Sequence, residues 1–280
     1  MLKAWLKKRK EKRINKIIED IKSIKIQGAR SIAKSALHAY SLNPVKETKI
    51  MLIKARSTEP MLVNTLHYFE KQGYKKTLDH FDETQDKINQ LVFHIIKDNS
   101  IIFTHCHSTN VILALIHAHK LGKHFQVYNT ETRPLFQGRK TSLELQKAGI
   151  KVTEFIDSAA RTALLQAKKI SGVDLVFLGA DAILPAGIIN KIGSGMFAEI
   201  AYNEKIPVVI IADSWKFTKK VSLEVRSFKE VWEKAPPRIK IENPAFEFIP
   251  RKYISAIVSE LGALKFPEFL RKVKNKLKDN

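Results

Sequence analysis

Ser100-Ile101-Ile102-Phe103-Thr104-His105-Cys106-His107-Ser108-Thr109 is the point at which the texture of the chain changes. An apolar, β-branched and aromatic run ends in hydroxyls, imidazoles and one thiol, and a helical pattern follows from about Ser108. The spacing predicts a buried strand over 101–104 that hands a polar loop to a helix. The same pattern recurs downstream at 125–129, 151–156, 175–178, 208–211 and 254–258, each β-rich run separated from the next by a helical stretch. Strands alternating with helices imply right-handed crossovers and a mostly parallel sheet. Upstream there is no convincing strand: Ile14, Ile17, Ile18, Ile21 and Ile24 keep a three-to-four spacing, continued over 31–40, 59–72 and 78–97. The chain is therefore expected to be an α/β protein with a helical N-terminal domain over residues 1–98 and a sheet domain over 99–280. The boundary falls in Lys97-Asp98-Asn99-Ser100.

Composition narrows the function classes. A chain of 280 residues with 44% hydrophobic residues, 11 Gly and 10 Pro can bury a core, which excludes disordered and collagen-like classes. One cysteine makes neither an internal disulfide nor a Cys-rich zinc cage. No apolar run approaches the roughly 18 residues of a membrane span, and residues 1–12 carry charges where a signal peptide has its apolar stretch, so a cytoplasmic location is expected. The formal charge of +21 invites a nucleic-acid reading. Much of the excess lies at the ends, however: residues 1–30 hold eleven Lys/Arg against three acids, and residues 265–280 hold six against two. No RNP-type aromatic run, zinc-finger spacing or internal repeat accompanies it, so a nucleic-acid partner is not expected.

In an open parallel sheet, ligands bind beyond the carboxyl ends of the strands. Those ends carry Thr104-His105-Cys106-His107-Ser108-Thr109, Thr130-Glu131-Thr132-Arg133-Pro134, Asp157-Ser158-Ala159-Ala160-Arg161 and Gly179-Ala180-Asp181-Ala182. Hydroxyls, a thiol, carboxylates and arginines suit a small anionic ligand. Cys106 allows two readings: a small buried hydrophobe, or a thiolate favoured by the following helix N-terminus and a neighbouring imidazolium. Asp181 likewise reads as a turn or helix cap, or as a proton-exchanging group with Gly179 and Ala180 permitting close approach. Asn190-Lys191, followed by Gly193-Ser194-Gly195 and a helix, has the form of a phosphate cradle. Gly193-x-Gly195-x-x-Ala198 with Asp213 also imitates a dinucleotide fingerprint, but the preceding run 188–192 is short and polar, unlike the buried strand that motif requires, so no cofactor is expected.

Taken together, Thr104-His105-Cys106-His107-Ser108, Thr130-Glu131-Thr132-Arg133-Pro134 with Gln137-Gly138, Asp157-Ser158-Ala159, Gly179-Ala180-Asp181, Asn190-Lys191-Ile192-Gly193 and Trp215-Lys216-Phe217 carry a resemblance. The sequence resembles the superfamily of ribose-1,5-bisphosphate isomerase, methylthioribose-1-phosphate isomerase and the alpha, beta and delta subunits of translation initiation factor 2B. The match spans most of the chain and is nearest the ribose-1,5-bisphosphate isomerase branch around Cys106 and Arg133. It implies a Rossmann-like second domain and an aldose-ketose isomerase converting ribose 1,5-bisphosphate to ribulose 1,5-bisphosphate in nucleotide salvage. Cys106 and Asp181 then match the catalytic cysteine and aspartate, as base and proton donor, without a metal. The alternative the same resemblance carries is a non-catalytic regulatory subunit that binds a nucleotide or sugar phosphate.

The resemblance further implies phosphate binding by Arg56, Lys191 and Lys216, with Ser108 and Asn190 as hydrogen-bond donors and the Gly28-Ala29 backbone approaching closely. Glu131 and Arg133 are expected to pair and brace the site. Two departures stand out. The isomerases carry Arg-Gly-Ala where this chain has Gln27-Gly28-Ala29-Arg30, leaving Arg30 as the substitute cation; and Arg-Pro-Thr appears as Arg56-Ser57-Thr58, without the proline that fixes the backbone. A homodimer or larger homo-oligomer is expected, with residues 239–250 resembling the relatives' C-terminal element near the site, and AMP stands as an effector to be tested.

Overall fold

The computed structural model describes residues 2–165 and 172–278. The centre of the sheet is assembled from runs that are largely apolar on both faces. β1 (Ser100–Thr104) and β7 (Val208–Ile211) are buried at every position, and β4 (Leu175–Leu178), between them, nearly so. β2 (Phe125–Thr130) and β3 (Lys151–Phe155) extend the sheet on one side; β9 (Ala256–Ser259) and β10 (Gly262–Leu264) extend it on the other. The order is β3-β2-β1-β4-β7-β9-β10. All neighbours are parallel except β9 and β10. The strand expected over 254–258 begins two residues later, because Ile254 still belongs to the turn that hydrogen-bonds back to Arg251.

Helices cover both faces. α5 (Thr109–Lys120) and α6 (Gln137–Lys147) lie on one face, together with the second half of α4 (Pro60–Ile95); there Ile88, Val92, Val111, Leu115, Val127 and Leu145 form one core. α7 (Ala160–Leu165), α8 (Ser194–Asn203) and α9 (Phe266–Lys278) lie on the other, where Leu164, Phe197 and Phe269 pack on Phe103, Val176 and Ile210. The strand order reverses between β1 and β4, so the connections diverge there and leave a crevice beyond their carboxyl ends.

The N-terminal region is helical. In α1 (Leu2–Lys22), Ile14, Ile18 and Ile21 face α2 (Ala29–Leu42) and α3 (Lys46–Ala55), as the periodicity predicts. Ile24 does not continue that helix; it lies in the following turn at φ 63°. The two helices expected over 59–72 and 78–97 are the halves of α4, broken at Gly73, where φ is 82° and ψ 175°. A second, antiparallel sheet was not legible: β5 (Ala182–Leu184), β6 (Gly187–Lys191) and β8 (Phe246–Pro250). The short, polar run before the glycines is thus largely a strand, with all five positions of β6 buried. It is antiparallel and outside the main sheet, which removes the dinucleotide reading on topological grounds.

One aromatic side chain joins the two regions. Trp215 follows β7, stacks between Tyr68 and His80 of α4 at ring separations of 4.4 and 3.5 Å, and is almost fully buried. Asn64 of α4 donates to the Trp215 and Phe217 carbonyls at 2.6 and 3.1 Å, and His80 meets the Asp213 carboxylate at 3.1 Å. Lys216, between Trp215 and Phe217, is fixed from both sides.

Candidate functional site

The sulfur-bearing loop leaves β1 in an unusual conformation. Cys106 has φ 67°, a left-handed value that costs a non-glycine residue roughly 1–2 kcal/mol. Two hydrogen bonds hold it there: Thr132 Oγ1 accepts from the Cys106 N–H at 3.0 Å, and the Cys106 carbonyl accepts from Thr141 Oγ1 at 2.7 Å. Thr132 is itself at φ 62°, and the Asp157 carboxylate accepts from the backbone N–H groups of Thr132 and Arg133 at 2.8 and 2.6 Å. Three successive strand ends therefore brace one thiol. Gly138 completes the brace, since a Cβ there would lie 1.7 Å from the Thr130 carbonyl oxygen.

The thiol is not activated in the way the sequence suggests. Cys106 keeps some surface toward the cleft, yet burial of its sulfur pushes its pKa up to about 12, opposed only in part by the His107 N–H and by Lys191. The flanking imidazoles cannot supply positive charge. His105, buried between the Thr130 hydroxyl and the Ile192 carbonyl, is pushed down to about 4 by burial, and His107 likewise. Both are neutral at neutral pH, and the resting form of Cys106 is the thiol.

Asp181 sits at the matching position after β4, its N–H bonded to the Ile189 carbonyl at 2.8 Å. No helix begins there; β5 does, which removes the helix-cap reading. Burial raises its pKa, while Lys216, Arg56 and Lys191 oppose the rise in that order. Ser108 caps the start of α5 by position, but its Oγ is buried without a partner; Gly179 permits this, since a Cβ there would lie 2.6 Å from that oxygen.

Gly28, Ala29, Arg30, Arg56, Cys106, Ser108, Asp181, Asn190, Lys191 and Lys216 all line one cleft between the N-terminal helices and the two sheets. They do not enter it equally free. Arg30 donates to the Phe81 carbonyl at 2.7 Å and to Asp82 at 2.6 Å, and Arg56 is paired with Glu224 at 2.8 Å. Lys191 and Lys216 are buried, and neither has a carboxylate in salt-bridge range among the described residues. Burial lowers the Lys191 pKa. Asn190 donates to Ser194 Oγ at 2.9 Å.

Two expectations are corrected. Glu131 pairs with Arg139 at 2.7 Å, whereas Arg133 reaches the Val231 carbonyl and lies over the Phe136 ring, so these neighbours point to different partners. The glycine cradle before α8 is occupied from within: the Gly195 N–H donates to Glu247 Oε1 at 2.8 Å, which puts the protein's own carboxylate at that helix N-terminus. Gln137, quoted in the resemblance but given no role in the site, has its Oε1 buried without a partner, and Glu59, which sequence reasoning missed, is 3% exposed; both line the cleft. Glu59 precedes Pro60 at the start of α4, where a carboxylate reads as an ordinary helix start and nothing signals burial.

Fold and cleft define an α/β protein that closes a small polar pocket, rich in buried cations, between a mostly parallel sheet and a helical N-terminal region. The chain belongs to the initiation factor 2 subunit family, whose pattern matches residues 5–266. It is 34% identical over 286 residues to ribose 1,5-bisphosphate isomerase of Methanocaldococcus jannaschii, covering 90% of this chain and 91% of that protein. Over 286 residues it is 31% identical to methylthioribose-1-phosphate isomerase of Thermoanaerobacter sp. strain X514, covering 95% and 79%. Its fold matches the crystal structure of Pyrococcus horikoshii translation initiation factor eIF-2B with a TM-score of 0.81 at 24% identity, covering 91% and 98%.

Proposed function

We propose that the cleft converts ribose 1,5-bisphosphate to ribulose 1,5-bisphosphate. At the coarser level the chain is a sugar-phosphate isomerase, as its 34% and 31% identical relatives support. The observation that carries the finer reading is the placement of a lone thiol and a carboxyl of raised pKa after β1 and β4, the two strands that flank the crevice. The chemistry needs both. Asp181, protonated, delivers its proton to the ring oxygen as the ring opens. The Cys106 sulfur takes the proton from C2 and returns it to C1, and the C2 hydroxyl proton passes to the Asp181 carboxylate as the ketone forms. Each positioned acid or base contributes roughly 10²–10⁴-fold. Because the resting sulfur is a thiol, its proton first passes to the Asp181 carboxylate, which thereby becomes the acid that opens the ring, and Lys191 is the cation that holds the negative charge of the sulfur until the proton from C2 reaches it.

Lys191 and Lys216 are the cations free to meet phosphate, with Ser108 Oγ and the start of α2 at Gly28-Ala29 as further donors. Arg30 and Arg56 enter already bound to Asp82 and Glu224, so a phosphate must compete with those carboxylates. The reading is tested by incubating the purified protein with ribose 1,5-bisphosphate, with and without AMP as effector, and following ribulose 1,5-bisphosphate by NMR. Turnover is expected. A ligand-induced rise in melting temperature without turnover would refute catalysis and favour a regulatory binding subunit. We further place a homodimer surface along residues 223–248, where Leu223, Val225, Phe228, Trp232 and Ile239 are exposed; an active monomer in sedimentation would refute it.

A further inference from the structure

We propose that Glu59 is a substrate-binding residue that presents a protonated Oε2 as hydrogen-bond donor to an oxygen of the bound sugar phosphate, beside Asp181. The inference rests on the reading of the cleft as a sugar-phosphate site. Glu59 stands at the position that caps α4, yet its side chain makes no capping hydrogen bond. It lines the cleft with Cys106, Ser108, Asp181 and Lys216 instead. Only 3% of the residue is exposed, and Oε2 has no hydrogen-bond partner. A buried polar atom left unpaired is costly, and such an atom in a cleft wall is satisfied when a ligand supplies the partner.

The charge around Glu59 sets its protonation. It is faced by Asp181 after β4, Arg56 at the end of α3, and Lys216 and Glu224 in the segment that follows β7. Burial acts first and Asp181 second, and against Lys216 and Arg56 they push the Glu59 carboxyl up to about 8. Two neighbouring carboxyls do not readily ionise together in such a site. At neutral pH Glu59 is therefore an acid that can donate to a phosphate or sugar oxygen; ionised, it would repel the same ligand. Glu59 thus adds a donor to a site whose Arg30 and Arg56 are already engaged.

The test is KM and kcat for ribose 1,5-bisphosphate from about pH 6 to about pH 10 in wild type, Glu59→Gln and Glu59→Ala, with the melting temperature of each. In wild type the Glu59 contribution should make KM rise by up to about tenfold per pH unit above about pH 8. Glu59→Gln keeps an uncharged donor and should raise KM only about threefold at pH 7 while losing that alkaline rise; Glu59→Ala should raise KM about tenfold, with kcat changed less. Identical pH profiles in wild type and Glu59→Gln would overturn the inference alone, as would a Glu59→Gln KM raised about a hundredfold at pH 7. If the variants do not fold, carboxyl-labelled wild type decides by NMR: a glutamate titrating near pH 8 supports the inference, and its absence overturns it. Failure of wild type to bind or turn over ribose 1,5-bisphosphate would refute the site reading, and this inference with it.

Discussion

Cys106 is held by its backbone and left uncharged by its surroundings. The loop that fixes φ at 67° also sinks the sulfur among protein atoms, so the protein trades thiolate population for geometry. Replacement tests which of these matters. Cys106→Ser keeps both backbone hydrogen bonds, fits the same space and should leave the melting temperature and its ligand-induced rise nearly unchanged, while kcat falls by roughly 10²–10⁴-fold, because a hydroxyl cannot serve as the base. Asp181→Asn should behave alike, losing kcat more than binding, since the amide keeps the shape and loses the exchangeable proton. Wild-type turnover in either variant would remove that residue from the mechanism; equal loss of folding in both would make them structural.

The elements differ in how far the sequence discloses them. β1, β4 and β7 were legible because a strand covered on both faces needs a continuous apolar run, here 101–103, 175–178 and 208–211. β5, β6 and β8 were not, because their runs are only three to five residues long and are interrupted by Asn190 and Lys191, which line the cleft, and by Glu247, whose carboxylate accepts from the Gly195 N–H at the start of α8. The positions of Cys106 and Asp181 followed from strand ends, but the state of Cys106 did not, since neither the burial of the sulfur nor that of His105 and His107 is written locally. Trp215 shows how an element carries the site. Its ring joins α4 to the turn after β7, and Lys216 rides on that turn. Trp215→Ala should cost about 3–5 kcal/mol in denaturant unfolding and, in the protein that remains folded, raise KM more than it lowers kcat, because Lys216 loses its support. An unchanged KM would mean that the Asn64 hydrogen bonds alone hold Lys216 in place.

At the scale of the whole molecule, the charge of +21 and the cleft are separate features. Lys7, Lys8, Arg9 and Lys10 are exposed along α1, whereas the cleft cations Lys191 and Lys216 are buried. Exposed lysines attract any polyanion, but base-specific binding needs stacking surfaces or groove-reading elements, and exposed Trp5 is already covered by Arg9 at 5.3 Å. RNA binding at roughly physiological salt is therefore expected to be no tighter than the 10⁻⁴–10⁻⁶ M of nonspecific association. Replacing Lys7, Lys8, Arg9 and Lys10 by alanine should weaken even that and reduce the salt slope by about one for each phosphate no longer neutralised, while isomerase activity survives. Submicromolar, sequence-selective RNA binding by the wild type would show instead that the basic surface was built for a partner, and that charge on α1 serves a function the cleft does not.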